Sequence, residues 1–274
     1  MTEELDQPQH WYTTNLVGVP APVLASLEFN AHPRPLHIAG TRATHPGLFA
    51  LLARAGDAGE AREMFAHYMS LSFGLGKPAA DAGVAEQRRW KTSYLKLLQG
   101  WGLDANGAAG AVLKGWVESR FGLVPAFHRL PLGRFPSPAW MRYLEEKAGS
   151  RYHNNAIWQQ MDLLFEFCQW MLARFALLGG GTHVTLWRGS NRVEEQLLQG
   201  SLRERCCCVR LNNLVSFSRS REQADCFGDW MFEANVPISK LLFVPGLLNT
   251  RSLDGEAEVL ALGGDYEVLV SYGQ

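Results

Sequence analysis

The chain changes its hydrophobic period once, at Gly179-Gly180-Gly181, and that change constrains the fold more than any other feature of its 274 residues. From about Leu48 to Leu178 the patterning is mostly helical, broken by Gly- and Pro-rich loops such as Gly74-Leu75-Gly76-Lys77-Pro78 and Leu130-Pro131-Leu132-Gly133-Arg134-Phe135-Pro136. The clearest helix is expected near Ala156 to Leu178. There Ile157, Met161, Leu164, Phe165, Cys168, Met171, Leu172 and Phe175 form one core-facing stripe. Asn154 or Asn155 can cap its start, and the three glycines end it. Beyond them come short apolar runs that read as strands: His183 to Trp187, Leu214 to Phe217, Leu241 to Val244, Val259 to Leu262 and Tyr266 to Val270. Gly263-Gly264-Asp265 between the last two is expected to be a tight connection. Ser220-Arg221-Glu222-Gln223 fits a capping box with Gly228 as the stop, which gives a short helix ending at Phe227. Helices first and strands afterwards is the α+β pattern. Residues 1–181 are expected to form a mostly helical region packed on a strand-rich core of residues 182–274, the two merged into one domain.

Charge excludes some functions. Lys and Arg number 26 against 27 Asp and Glu, so there is no global basic field for nucleic acid and no polybasic run for a membrane surface. No apolar stretch approaches the roughly 18 residues that a membrane span needs. The opening Met-Thr-Glu-Glu-Leu-Asp-Gln-Pro lacks the basic and apolar regions of a secretory signal, so a cytoplasmic location is expected. Cys206, Cys207 and Cys208 are adjacent, and neighbouring side chains diverge, whereas zinc sites usually space their ligands by two to four residues. Reduced thiols and no metal are therefore expected.

Three stretches of the strand-rich half carry residue types suited to chemistry. Leu186-Trp187-Arg188-Gly189-Ser190 has an arginine leaving a strand just before a glycine. It is either a surface arginine before a turn or an anion clamp, because a guanidinium is always charged and forks onto phosphate oxygens. In Asn212-Asn213-Leu214-Val215-Ser216-Phe217-Ser218-Arg219-Ser220, strand alternation puts Ser216 and Ser218 on one face with Leu214. Gly255-Glu256-Ala257-Glu258 opens an apolar run. Side chains two apart share a strand face at roughly 6.5–7 Å, so this is either a solvated strand end or two carboxylates looking into one space.

In this order the three stretches resemble the mono-ADP-ribosyltransferases of the Arg, Ser, Glu class. The resemblance implies an ADP-ribosyltransferase-like strand-rich core around a cleft that binds NAD. Glu-x-Glu, as opposed to Gln-x-Glu, is similar to the branch that modifies arginine side chains. These motifs cover about Val184 to Val270. The length and the helical half, including His10-Trp11-Tyr12-Thr13-Thr14-Asn15-Leu16-Val17-Gly18, resemble one family more narrowly, the dinitrogenase reductase ADP-ribosyltransferases that switch off nitrogenase. Phe217 departs from the commonest Ser-Thr-Ser pattern in its middle position.

The resemblance implies roles residue by residue. Glu258 would stabilise the cationic ribose, Ser216 would fix Glu258, and Arg188 with Gly189 would hold the cofactor's phosphates. Glu256 would bind the acceptor guanidinium and assist its deprotonation. Ser218 lies beside these on the cofactor side, Asn213 resembles a polar cofactor contact, and Phe227 looks placed to stack on nicotinamide. Gly246 to Gly255 resembles a target-recognition loop. NAD would be the co-substrate, dinitrogenase reductase (the nitrogenase iron protein) the protein substrate, and a PII-type nitrogen-signalling protein the regulator. A NAD glycohydrolase, or a non-catalytic regulator on the same fold, is the alternative.

Overall fold

The structure is a computed structural model that describes residues 15–75, 87, 90–191, 193–201, 205–248 and 258–272. In chain order the described helices are α1 (Ala21–Leu24), α2 (Leu27–Ala31), α3 (Thr41–Thr44), α4 (Pro46–Leu52), α5 (Ala58–Phe73), α6 (Tyr94–Leu103), α7 (Ala108–Phe121), α8 (Pro138–Gly149), α9 (Asn155–Phe175), α10 (Val193–Gln196) and α11 (Arg221–Asp225). A two-stranded hairpin, β1 (Phe127–His128) and β2 (Leu130–Pro131), lies among the helices. The strands β3 (His183–Ser190), β4 (Leu197–Gly200), β5 (Cys206–Ser218), β6 (Trp230–Pro237), β7 (Leu241–Phe243) and β8 (Glu258–Tyr272) form an antiparallel sheet.

The apolar stripe read from the sequence becomes α9, the pillar between helices and sheet. Asn154 caps it by accepting the Ile157 amide, and it ends at Phe175 with Ala176 in the left-handed region, three residues before the glycines. Its polar groups fasten the surroundings. Gln160 accepts the amide of Tyr94 at the start of α6 (2.9 Å), and Gln169 donates to the carbonyls of Ile238 and Leu241 beside β7. Glu166 accepts from the Ile38 amide and Arg42, while Asp162 accepts from Trp116 and Arg120. A carboxylate buried this deeply is tolerated only when charge and hydrogen bonds compensate it.

Two long strands organise the sheet. β5 pairs with β8 from Cys206–Leu269 to Ser218–Glu258, with a register shift at Asn212 and Asn213. On the far side of β8 comes β6, then β3, and β3 returns to the end of β5 through the single pairing Trp187–Ser218. Past that pairing β3 and β5 part, and the gap between them is where side chains can face a ligand.

The structure corrects the strand expectation in three places. Gly263-Gly264-Asp265 is not a turn: β8 runs unbroken through it, past the bulge in β5. A Cβ at Gly263 would lie 1.5 Å from the Asn212 carbonyl oxygen, so the bulge demands glycine there. The second difference is β6, which lies between β3 and β8 yet was not expected from the sequence. It carries Glu233, Asn235 and Pro237, residue types poor in strands, and its burial does not alternate cleanly. β4 was not expected either.

Candidate active site

Glu258 is the first residue of β8, paired with Ser218 of β5. Ser216 stands diagonally across on the same face, and a diagonal neighbour is within reach of a side chain as long as glutamate. The Ser216 hydroxyl donates to Glu258 Oε1 at 2.5 Å. A third group joins them from the helical half: the Trp101 indole Nε1 donates to Ser216 Oγ (3.0 Å) and to Glu258 Oε1 (3.1 Å).

Arg188 lies within β3, opposite Phe232 of β6, where β3 and β5 part. Its Nη1 donates to the Ser216 carbonyl at 2.7 Å, and its Nε is buried without a hydrogen-bond partner among the described residues. Burial pulls the guanidinium below its ordinary value and the charge of Glu258 opposes this; the group stays cationic at any physiological pH. A buried guanidinium donor with no acceptor among the described residues suits an anionic ligand. Gly189 serves a different need. A Cβ there would lie 2.4 Å from the Ala224 carbonyl oxygen, so the glycine lets α11 sit directly on β3.

That close approach places Phe227. α11 is capped by Ser220, which accepts the Gln223 amide, and Phe227 follows its last turn with its ring 59% exposed. Phe227, Trp187, Arg188, Ser218 and Glu258 line a cleft of about 290 Å³. It adjoins a chamber of about 750 Å³, with Trp101, Arg188, Ser216 and Phe227 in the shared wall. Ser218 is nearly buried; its hydroxyl accepts the Ser220 amide (3.0 Å) and steadies the turn into α11.

Asn213 stands apart from these residues. It is buried, and its side-chain amide donates to the carbonyls of Lys114 and Leu123, both at 2.9 Å, so its place in the bulge joins β5 to the helical half. It lines neither the cleft nor the chamber. Its neighbour Asn212 lines the chamber and bonds the backbone of Ala126 and Phe127. Glu256, most of the loop Gly246 to Gly255, and His10 to Thr14 lie outside the described residues.

Sequence reasoning missed two groups at the site. Trp101 continues the stripe Tyr94, Leu97 and Leu98 into the last turn of α6, so periodicity marks it only as core. Lys114, in the chamber wall, is fully buried in α7. Its ammonium contacts Asn106 Oδ1 (3.1 Å) and His128 Nδ1 (3.3 Å), and His128 Nε2 in turn meets Glu146 (2.9 Å). Burial pulls Lys114 down to about 7 against the attraction of Asp104 and Glu146. Burial likewise lowers His128, opposed by its bond to Glu146. A lone lysine inside the apolar run Val112 to Val117 was the available signal.

Residues 14–270 match the family model described as dinitrogenase reductase ADP-ribosyltransferase. The chain belongs to that family. The match takes in the helical half, so Trp101 and Lys114 fall inside the region shared with the dinitrogenase reductase ADP-ribosyltransferases. The chain is also 50% identical, over 270 residues, to NAD(+)--dinitrogen-reductase ADP-D-ribosyltransferase of Rhodospirillum rubrum, an alignment covering 97% of this chain and 98% of that one. No solved structure matches. Among the described residues no cluster of three or more His, Cys, Asp or Glu side chains could hold a metal, and no helix is long and apolar enough to cross a membrane.

Proposed function

We propose that this chain transfers ADP-ribose from NAD to an arginine side chain of dinitrogenase reductase, the nitrogenase iron protein, and so switches nitrogen fixation off reversibly. The observation that carries the reading is the Ser216–Glu258 contact, 2.5 Å long, on the wall of the cleft where Arg188 keeps a buried donor unpartnered among the described residues. The 50% identical relative from Rhodospirillum rubrum bears the name of the same activity.

The chemistry follows from charge. The bond from nicotinamide nitrogen to ribose C1′ breaks with its electron pair leaving on nicotinamide, and the sugar becomes oxocarbenium-like, as in glycoside hydrolysis. Glu258 would accept a hydrogen bond from the ribose 2′-hydroxyl and stabilise the developing cation. Arg188 would hold the pyrophosphate and Phe227 would stack on nicotinamide. An arginine nitrogen then bonds to C1′. The guanidinium starts protonated, so it must lose a proton in that step, and Glu256 would bind it and take that proton. Ser218 would support the turn that carries Phe227, and Asn213 would act from the bulge as a structural tie.

A cytoplasmic location belongs to the same reading, in keeping with five cysteines that form no disulfide among the described residues. So does control by a PII-type nitrogen-signalling protein, for which the helical half offers surface. Incubation with labelled NAD and purified iron protein tests the core of the proposal. Glu258→Gln should lower transfer at least about 100-fold, the scale of losing a group that stabilises transition-state charge. Glu256→Gln should lose transfer to arginine while keeping slow NAD hydrolysis. Label found on no arginine by mass spectrometry, or wild-type transfer by Glu258→Gln, would overturn it.

A further inference from the structure

Trp101 reaches the site from the half of the chain that carries none of the three motifs. It is 3% exposed, at the last turn of α6, and its ring is fixed from several sides. Ser93 caps the helix by accepting the Lys96 amide, Gln160 accepts the Tyr94 amide, and the Lys114 ammonium lies 5.9 Å from the centre of the indole. A buried indole N–H needs an acceptor. Those of Trp116 and Trp140 find theirs at Asp162 and the Gly133 carbonyl, and neither residue lines the cleft. The N–H of Trp101 is instead shared between Ser216 Oγ and Glu258 Oε1, the same oxygen that accepts the Ser216 hydroxyl.

Two donors converging on one carboxylate oxygen do more than satisfy it. They fix the rotation of the carboxylate about its last bond, which is otherwise broad and roughly two-fold. With Oε1 engaged twice, Oε2 is turned toward Gly102, where a Cβ would stand 3.7 Å away. Glycine in a helix costs about 1 kcal/mol relative to alanine, and here two glycines flank the tryptophan. Gly100 lets α6 press against Ala109 of α7, since a Cβ would come within 2.7 Å of the Ala109 methyl, and Gly102 keeps bulk away from Oε2.

We propose that Trp101 is a positioning residue for the transfer reaction: its indole N–H and the Ser216 hydroxyl together hold Oε1 of Glu258 and so fix how the carboxylate faces the ribose. The helical half is thereby a working part of the site. Any shift of α6 relative to β5 and β8 moves the carboxylate. This inference rests on the reading of Glu258 as the catalytic carboxylate.

The test is steady-state transfer from NAD by the full chain, with kcat and KM for NAD measured separately. Trp101→Phe keeps most of the ring and removes the donor. It should lower kcat about 10- to 100-fold, up to the lower edge of the loss seen when a charge-stabilising donor is removed. KM for NAD should change less than about threefold, because a group that only orients the carboxylate acts mainly in the transition state. Combining it with Ser216→Ala should give a kcat at least about threefold above the product of the single effects, since both donors serve one oxygen. Should Trp101→Phe fold poorly, 3-benzothienylalanine installed at position 101 keeps the fused rings and replaces N–H by sulphur. It should show the same kcat loss with an unchanged thermal midpoint. Wild-type kcat in either folded variant, or a loss confined to KM, would overturn the positioning role. The Glu258→Gln enzyme separates the two levels. If it is inactive while Trp101→Phe is normal, only the positioning role falls; if it is active, the underlying reading falls as well.

Discussion

Two lysines show how much charge this chain carries inward. Lys114 and Lys240 are both fully buried, and burial pulls each down to about 7. Lys240 sits over the rings of Phe29 and Tyr266, at 5.4 and 5.0 Å, and its ammonium donates to the Gly263 carbonyl at 3.5 Å. Aromatic faces and one long hydrogen bond offset only part of the lost hydration. The sign of the pH dependence follows. In the unfolded chain each lysine keeps its proton up to the ordinary value of 10.5, whereas the folded chain releases it near 7. Between those values the unfolded state binds more protons, so stability rises with pH across that window. Below about 7 both states hold the proton and the full cost of burying the charge is present. Denaturant unfolding at pH 7, 8 and 9 should show this slope, and Lys240→Met should make it shallower. Equal slopes in the two proteins would mean that Lys240 does not titrate in this window. Each pKa unit of difference corresponds to ~1.4 kcal/mol, so the effect is measurable.

Elements were legible in the sequence where one face alone decides them. The stripe of α9 and the apolar runs that became β3 and β7 depend on burial of a local pattern, and period carries that directly. Glu258 and Ser216 came together in the sequence only through the family resemblance, since alternation within each strand says that Ser216 shares a face with Ser218 and Glu256 with Glu258 but not which strands meet. What period cannot carry is the partner. Gly-Gly-Asp has the composition of a turn, and only the bulge at Asn212 and Asn213, on another strand, makes it a passage through a continuous β8. Trp101 reads as core because its role depends on where α6 docks. The bulge gives a direct prediction. Gly263→Ala would force its methyl into the Asn212 carbonyl, with backbone on both sides and nothing flexible to yield. A loss of about 3 kcal/mol, the upper part of the range for overpacking, should appear in denaturant midpoints. A change below about 0.5 kcal/mol, ordinary for surface substitutions, would show that the strands separate easily there.

At the scale of the whole molecule, the helical and strand-rich halves do not divide the labour into a scaffold and an enzyme. A single buried cluster contains Phe65, Trp116 and Phe165 of the helices together with Leu186, Val215, Phe232 and Leu260 of the strands. Polar ties repeat the pattern: Gln169 to β7, Asn213 to α7, the Ala25 carbonyl accepting the Asp265 amide of β8, and Trp101 to Glu258. The cleft is lined from both halves, by Trp101, Gly102 and Ala105 as well as by Arg188, Ser216 and Glu258, which is why the motif residues of the strands mark it without completing it. A fragment of residues 182–274 would expose the apolar face that α9 covers and would leave the bulge amide of Asn213 without its two carbonyls. Neither loss has a local remedy, because the covering groups are helices from distant parts of the chain. The isolated fragment should then show no cooperative thermal transition by circular dichroism and no saturable binding of NAD by calorimetry, while the full chain unfolds in one transition. A fragment that melts cooperatively and binds NAD would restore the division into separable halves, and the role given to Trp101 would have to be carried by the strands themselves.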